Sequence, residues 1–292
     1  MEDAYGYERY EEPYDYATRD RRVRIARGLQ AVDGLTTSTA FDEPAQRYVD
    51  GQISAENLRD IVDDYYEQKV GRAIDRTSQE ADRVSARICD LLDSNGFTMA
   101  PSTLRTIHGR LFRGLMEDAH YEEHYRDYNF SKREFVLARE SVEYGDFETL
   151  EEDLAGAFTA FAPGAYTAED PRPYIRSISA FITRIWQIHP FAEGNTRTVA
   201  VFLQKLLQNH GFSCGNEAFE HYSLHFRNAL VRASYRNVPA GVAPDDRFIN
   251  EFVACLLQDR PFPYRNRDMA AAALFRAKGL IPPQEEGSSL IG

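Results

Sequence analysis

Eleven consecutive residues near the middle of the chain carry the side chains that acid–base and phosphate chemistry require. They read Ile188-His189-Pro190-Phe191-Ala192-Glu193-Gly194-Asn195-Thr196-Arg197-Thr198. Among them, only His189 takes up a proton near neutral pH. Glu193 offers an oxygen ligand of the kind that Mg²⁺ prefers, and Arg197 offers a bidentate donor for phosphate. This combination indicates phosphoryl or nucleotidyl transfer.

The backbone of the same segment favours anion binding. Gly194 permits a tight turn with exposed amide groups, and the turn runs into a helix at Thr198. Backbone amides and the positive end of a helix dipole together form an anion site. Pro190 stiffens the exit from the preceding helix, and Phe191 is suited to anchor the loop in the core. We therefore predict a phosphate-binding loop held between two helices.

Apolar residues at helical spacing predict these two helices. The first follows Pro171 and Pro173, and its apolar stripe is Ile175, Ile178, Phe181, Ile182 and Ile185. The second ends at Gly211, and its stripe is Val199, Phe202, Leu203, Leu206 and Leu207. Between Tyr128 and Leu150 the period changes, which predicts a short hairpin or extended flap from Phe135-Val136-Leu137 and Val142-Glu143-Tyr144. The predicted fold class is mostly α, with one short β-hairpin.

Seven residues of the central segment resemble the signature HPFx(D/E)GNGRxxR of the Fic (filamentation induced by cAMP) family. They are His189, Pro190, Phe191, Glu193, Gly194, Asn195 and Arg197. The resemblance extends over roughly residues 80 to 260 and includes Thr106-Ile107-His108, Tyr125-Arg126 and the helix from Phe226 to Val231. It implies a Fic-like helical bundle, whose catalytic core we place at residues 78–262.

The resemblance implies transfer of AMP from Mg-ATP to a Ser, Thr or Tyr hydroxyl of a target protein. His189 would deprotonate the hydroxyl, and Glu193 would hold Mg²⁺. The nucleotide would be bound by Gly194, Asn195, Thr196 and Arg197. The flap would clamp the target segment as an added strand. Its docking residues would be Phe135, Val136, Leu137, Val142 and Tyr144.

Two residues depart from the family signature. Thr196 stands where the signature has its second motif glycine, and Ala200 stands where it has its second arginine. A side chain at position 196 narrows the loop, and the missing arginine removes a phosphate contact. The identity of the donor therefore stays open: it could be ATP, another nucleotide or a phosphocholine-type donor. A degenerate member that senses nucleotide as a binding module is the main alternative to a transferase.

Residues 18–75 resemble a small helical module of the antitoxin type, which carries an inhibitory motif (S/T)xxxE(G/N). The glutamate position of that motif falls on Asp33, and its Ser/Thr position falls on Leu29. Because Ala200 replaces the arginine partner, we expect this module to dock as a remnant or steric brake without electrostatic inhibition. Glu43 also fits the motif, but Pro44 follows it and predicts that no helix continues there.

The first residues of the chain are acidic, rich in tyrosine and almost free of aliphatic side chains, and the last ones carry Pro282, Pro283 and a Gly-Ser end. Residues 1–17 predict a disordered acidic tail, and residues 263–292 a C-terminal segment that is partly disordered. Tyrosines on a flexible tether would have a high effective concentration at the chain's own site. We therefore expect self-modification at Tyr5, Tyr7, Tyr10, Tyr14 or Tyr16.

An alternative hypothesis is a zinc protease. Residues His120-Tyr121-Glu122-Glu123-His124 match the HxxEH motif of inverted zinc proteases. If the segment were helical, both histidines would share one face, and a glutamate would serve as base. A metalloprotease is therefore a second, less favoured function. His221 and His225 are also four residues apart, but we assign them to a polar helix face rather than to a metal.

Composition excludes several classes of protein. The chain has 292 residues and a formal net charge of −12, which argues against a general nucleic-acid binder. It has no apolar run near the roughly 20 residues that a membrane span requires. Its three cysteines are far apart and predict neither a disulfide framework nor a zinc site. We expect a cytoplasmic protein that acts on a target protein. Export by a dedicated secretion system and homo-oligomers both remain compatible with the sequence.

Overall fold

The computed structural model describes residues 15–69 and 75–282. Within these ranges, helices surround one continuous apolar core, and the only regular sheet has two strands. The helices are α1 (Tyr16–Gln30), α2 (Thr39–Val49), α3 (Ala55–Glu67), α4 (Arg76–Asp93), α5 (Pro101–Phe112), α6 (Leu150–Ala160), α7 (Arg172–Ile188), α8 (Asn195–Asn209), α9 (Glu217–Ser234), α10 (Arg247–Gln258), α11 (Asn266–Met269) and α12 (Ala272–Ala277). The prediction of a mostly helical fold with a short flap is confirmed.

Helix α1 begins earlier than the sequence predicts. Asp15 caps it by accepting a hydrogen bond from the Thr18 backbone N–H at 3.1 Å. Tyr16 therefore belongs to the first turn of α1 rather than to a disordered tail. The other four tyrosines of that tail lie outside the described residues. At the opposite end of α1 a 3₁₀ turn follows, and Gly34 adopts a left-handed conformation with φ of 71°.

Helix α2 continues through Pro44, so the predicted break at this proline is wrong. Ser38 caps the helix by accepting from the Ala40 N–H at 3.2 Å. The helix then buries one apolar face, formed by Phe41, Pro44, Ala45, Tyr48 and Val49. Burial of that face outweighs the one backbone hydrogen bond that proline cannot donate. Glu43 lies on the opposite, exposed face.

The N-terminal helices share their core with the rest of the chain. Helix α1 lies against α9 so closely that a Cβ atom on Gly28 would meet the Phe219 carbonyl oxygen at 2.1 Å. The Ser223 hydroxyl donates to the Gly28 carbonyl oxygen at 2.6 Å across the same contact. The expectation that this module packs on the following residues is confirmed.

The flap differs from the predicted hairpin. Strands β1 (Ser131–Arg133) and β2 (Ser141–Glu143) pair antiparallel, with Lys132 opposite Val142. Residues Phe135–Leu137, predicted as a strand, form a 3₁₀ turn instead. Val136, Leu137 and Val142 are buried in the core, so the prediction that these three side chains dock a target is wrong. Their apolar surface is already covered by this chain.

The described part of the C-terminal segment packs on the core, and residues 283–292 of the predicted partly disordered segment lie outside the described residues. The Ala271 N–H donates to the Val136 carbonyl oxygen at 2.8 Å, which ties the segment to the base of the flap. Met269, Leu274 and Phe275 are buried there. No helix in the described ranges is both long enough and apolar enough to cross a membrane.

Candidate active site

The central loop, the flap and the end of α1 enclose a cavity of about 470 Å³. The loop joins α7 to α8 and contributes the residues that the sequence singled out. The flap contributes Phe130, Ser131, Lys132 and Tyr144, and the N-terminal half contributes Asp33, Leu35 and Glu80. Residues from four distant parts of the chain thus converge on one site.

His189 is held as a neutral base. It ends α7 in a left-handed conformation with φ of 54°, and its Nδ1 lies 3.0 Å from the Trp186 carbonyl oxygen. A carbonyl oxygen only accepts hydrogen bonds, so Nδ1 carries the proton and Nε2 keeps a lone pair. The ring stacks on Tyr144, with 3.6 Å between the ring centroids. Burial lowers the pKa of His189 to about 3, so the imidazole is uncharged at neutral pH.

Arg126 holds the chain corner at His189. Its side chain is buried, with 3% exposed, and its guanidinium binds carbonyl oxygens on both sides of the corner. Nε donates to the His189 oxygen at 2.7 Å, and Nη2 donates to the Ile188 oxygen at 3.1 Å. Nη1 reaches the Tyr128 oxygen at 2.6 Å, and Nη2 also bonds Gly145 at the end of the flap. One arginine therefore fixes the flap and the corner at His189 relative to each other.

The N-terminus of α8 forms the anion cradle that the sequence predicts. Gly194 precedes the helix with φ of 73°, and a Cβ there would meet the Phe112 ring at 2.3 Å. The first helical hydrogen bond joins the Thr198 N–H to the Gly194 oxygen, so residues 195–197 open the helix with amides that have no intrahelical acceptor. The Asn195 side chain bonds both backbone groups of Phe191, at 2.7 and 3.0 Å. Asn195 thus shapes the loop with its side chain, while its backbone N–H lies in the first turn of α8 without an intrahelical acceptor.

Thr196 has a structural partner that accounts for its presence at a glycine position. The Trp186 indole Nε1 donates to the Thr196 hydroxyl at 3.0 Å, and Trp186 is fully buried. Without this hydroxyl, a buried N–H would lose its acceptor, at a cost of about 1 to 3 kcal/mol. Thr196 therefore connects the cradle to the residue whose carbonyl orients His189.

Glu193 lies exposed at the rim of the cavity, next to the cradle. Its backbone carbonyl is held from below by His108, whose Nε2 is 3.2 Å away. The His108 ring stacks on Phe191, with 3.9 Å between centroids, and burial lowers its pKa to about 4. His108 is therefore a neutral residue whose stacked ring supports the loop. Its Nδ1 also lies 3.1 Å from the Glu122 carbonyl oxygen, and a neutral imidazole has one N–H, so it donates to only one of the two carbonyl oxygens. No group of three or more His, Cys, Asp or Glu in the described ranges is arranged as a metal site.

Arg197 is already engaged by three side chains. Its Nη2 lies 2.6 Å from Glu80 Oε1, its Nε lies 2.9 Å from Asp33 Oδ2, and its Nη1 donates to Gln30 at 3.1 Å. The arginine side chain is only 4% exposed. We call Asp33 and Glu80 the Arg197 clamp. Ala200 removes the partner that the motif gives to this position, but Asp33 pairs with the remaining motif arginine, so the module makes an electrostatic contact with the site.

Comparison with known families agrees with this geometry. The sequence model of the Fic/DOC family matches residues 98–207, which include the whole loop from His189 to Arg197. The model of the antitoxin VbhA matches residues 19–63, which include Asp33. The chain carries a Fic domain and an antitoxin VbhA domain. Glu80 lies outside both matched segments.

Two solved structures are similar to the chain at 16% identity. One is a Fic family protein from Desulfovibrio desulfuricans G20, with a TM-score of 0.48 and coverage of 90% of this chain and 76% of that one. The other is a Fic domain containing signaling protein from Bacteroides thetaiotaomicron VPI-5482, with a TM-score of 0.49 and coverage of 94% of each chain. No curated protein matches the sequence.

Two cations of the Fic domain escaped the sequence prediction. Lys132 on β1 and Arg227 on α9 both line the cavity. Arg227 Nη2 lies 2.7 Å from Glu134 Oε1, which ties α9 to the flap. Arg227 stands within the stretch that resembles a later Fic helix, but neither its type nor its spacing marks it as a site residue. Of the predicted flap residues, only Tyr144 lines the cavity.

The HxxEH segment of the Fic domain is not arranged as a protease site. It forms a 3₁₀ turn, Ala119–Glu122, rather than an α-helix. The His120 and His124 rings stack on each other at 4.3 Å, and His124 Nδ1 lies 2.7 Å from the His120 carbonyl oxygen. Stacked rings do not direct two nitrogens at one ion. This arrangement disfavours the metalloprotease hypothesis.

Releasing the Arg197 clamp is expected to increase the affinity of the Fic domain for nucleotide. In the variant Asp33→Asn/Glu80→Gln, the shapes of both side chains are kept and two negative charges beside the cradle are removed. Partly exposed ion pairs contribute about 1 kcal/mol each, so removing both should tighten ATP binding about tenfold or more. Isothermal titration calorimetry with ATP and Mg²⁺ measures this change.

The matched control for the clamp is Asp42→Asn/Glu43→Gln. It makes the same change of net charge on the exposed face of α2, and it tests Glu43, the other inhibitory candidate in the sequence. Equal ATP affinity of the two double variants would contradict an inhibitory role for the clamp.

Proposed function

We propose that the chain transfers AMP from Mg-ATP to a hydroxyl group of a target protein. The observation that carries this proposal is the neutral His189, with the Nε2 lone pair available, in the same cavity as the α8 anion cradle and Arg197. A base beside a polyphosphate site suits activation of a hydroxyl for attack on phosphorus.

In the proposed reaction, His189 Nε2 accepts the proton of the target hydroxyl. The hydroxyl oxygen forms a bond to the α-phosphorus of ATP, and the bond from that phosphorus to the bridging oxygen of pyrophosphate breaks. The amides of residues 195–197 and the guanidinium of Arg197 stabilise charge on the phosphate oxygens. Glu193 would hold Mg²⁺, which supplies charge neutralisation of the phosphates when bound. The exposed carboxylate of Glu193 at the rim of the cradle suits this role.

Nucleotide binding itself would make His189 a stronger base. Burial and the nearby cations Lys132, Arg126 and Arg227 all lower the pKa of this histidine. Phosphate groups beside the ring act in the opposite direction, because a negative charge stabilises the imidazolium form. The catalytic proton transfer therefore becomes favourable only when the donor is in place.

Strand β1 is the proposed docking edge for the target. All three of its side chains are exposed, and Ser131 and Lys132 line the cavity. An extended target segment that paired with β1 would bring a hydroxyl to His189 through backbone hydrogen bonds. Self-modification of Tyr16 is disfavoured, since this residue is fixed at the end of α1 roughly 20 Å from Asp33.

Labelled ATP tests the proposal. With the full chain, Mg²⁺ and a mixture of candidate proteins, we expect label from the α-phosphate to become covalently attached to protein and label from the γ-phosphate to stay in solution. A chain with the substitution His189→Asn sets the background. Transfer of γ-label would indicate a kinase reaction. Tight ATP binding with no transfer, in both the native chain and the clamp variant, would favour a nucleotide-sensing module. Thr196 and Ala200, which depart from the family signature, are the residues that favour this alternative.

A further inference from the structure

A second cavity, of about 400 Å³, lies at the other end of α1 and α8 from the candidate active site. Residues of the first turns of α1 form one wall, and residues of the last turns of α8 form another. The end of α4 and the loop after α8 complete it. Because α1 belongs to the antitoxin domain and α8 to the Fic domain, any molecule bound here contacts both. We call this space the α1–α8 cavity.

The charge of the α1–α8 cavity is opposite to that of the protein. Arg21, Arg22 and Lys205 line it, and none of the described lining residues is acidic, although the chain carries a net charge of −12. Arg22 is paired with Asp93 just outside the lining. Lys205 donates to the Leu91 and Ser94 carbonyl oxygens at 2.8 and 2.7 Å. Its ammonium group therefore contributes positive charge to the cavity, while its N–H groups already have protein acceptors.

Two polar groups in the α1–α8 cavity have capacity for a ligand. Arg21 donates to the Ser213 hydroxyl at 2.7 Å, and no carboxylate among the described residues is paired with it. A guanidinium has five N–H groups, so most of them remain for an acceptor. Gln204 is 1% exposed, and its Nε2 is a buried donor with no hydrogen-bond partner in the described part of the chain. A buried donor without an acceptor is costly unless a ligand or water satisfies it.

The rest of the α1–α8 cavity is lined by uncharged polar residues together with a few apolar ones, among which are two aromatic rings. These rings belong to Phe97, which comes before α8 in the chain, and Phe212, which follows it. Both are partly buried against the core. Aromatic faces of this kind suit a flat ring, while the arginine and amide donors suit a phosphate. The volume accommodates a small organic molecule rather than a polypeptide.

We propose that the α1–α8 cavity binds a small phosphate monoester with a planar ring, with Arg21 and Gln204 as donors to the phosphate. This site is separate from the site of the proposed transfer reaction and does not depend on it. A bound phosphate monoester ties α1 to α8 and so stabilises the docked position of the antitoxin domain.

Phenyl phosphate is a suitable probe, with inorganic phosphate and phenol as its two halves. Titrations use the full chain, EDTA to remove divalent cations, and sodium chloride to hold the ionic strength constant. We expect saturable binding of phenyl phosphate that is tighter than binding of either half. Arg21→Ala should weaken it at least tenfold. Gln208→Glu, which places a carboxylate on the exposed rim of the cavity, should weaken it similarly.

Arg24→Ala is the matched control. Arg24 lies on the same helix but faces Asp20 and Glu220, with contacts of 2.7 and 3.2 Å, outside the cavity. Its affinity for phenyl phosphate should stay within twofold of that of the native chain. The proposal is overturned if no saturable binding is found, or if Arg21→Ala and Arg24→Ala weaken binding equally. Gln208→Glu decides the question if Arg21→Ala fails to fold.

Discussion

Replacement of His189 by asparagine is expected to reduce transfer of α-label from ATP by about 10²- to 10⁴-fold, the usual contribution of a positioned general base. Asparagine is chosen because residue 189 has a left-handed backbone with φ of 54°. Asparagine tolerates this conformation, whereas alanine pays roughly 1 to 2 kcal/mol for it. The substitution therefore removes the base and leaves the corner in place.

Two measurements separate a lost base from a damaged site. The rate of label transfer should fall, while the affinity for ATP and the midpoint of thermal unfolding should remain close to those of the native chain. ATP affinity is expected to persist because the α8 amides and Arg197 do not depend on the imidazole. A variant that keeps more than a tenth of the native rate would show that another group accepts the proton.

Replacement of Arg126 by methionine is expected to lower the free energy of unfolding by about 3 kcal/mol or more. The guanidinium satisfies the buried carbonyl oxygens of Ile188 and His189 on one side and those of Tyr128 and Gly145 on the other. Hydrogen bonds from a charged donor contribute about 1.5 to 3 kcal/mol each, and methionine leaves all these acceptors without a donor. Denaturation by urea, followed by circular dichroism, measures the loss.

The control for this prediction is Arg105→Met. Arg105 lies exposed on α5 with its guanidinium 5.8 Å from the Tyr125 ring centroid, so its removal should change stability by less than about 0.5 kcal/mol. The free energy of unfolding of Arg126→Lys should lie between those of Arg126→Met and Arg105→Met, because a single ammonium cannot reach acceptors on both sides of the corner. If Arg126→Met and Arg105→Met unfold at the same urea concentration, Arg126 does not hold the corner.

The antitoxin domain shows how a motif comparison missed the contact that Asp33 makes. The motif comparison places the inhibitory glutamate position on Asp33 and finds Ala200 where the arginine partner would be. From this we expected Asp33 to have no arginine partner. The fold instead brings Asp33 to Arg197, one helical turn earlier, and Glu80 joins from α4. A contact between residues 33 and 197 depends on how α1 lies along α8, and a motif comparison does not contain that information.

The flap shows a different limit. An apolar triplet such as Phe135-Val136-Leu137 has the same composition in an exposed strand and in a buried 3₁₀ turn, so periodicity does not distinguish them. The structure buries Val136 and Leu137 in the core at the base of the flap, whereas all three side chains of β1 are exposed. The continuation of α2 past Pro44 was missed for a related reason. The backbone hydrogen bond that proline cannot donate is evident from the sequence, whereas the burial of the apolar face that outweighs this loss depends on the tertiary structure.

The sequence by itself determined the loop from His189 to Arg197, its two flanking helices and the anion cradle. These features are local, because the turn at Gly194 and the start of α8 depend on residues within a few positions of each other. Only the tertiary structure decided which groups surround the loop. Arg126, His108, Lys132 and Arg227 support or line it, and the Arg197 clamp and the α1–α8 cavity form where α1 meets the Fic domain. Such contacts join residues far apart in the sequence, by 63 positions for Arg126 and His189 and by 117 for Glu80 and Arg197. They arise from packing of the apolar core rather than from any local pattern.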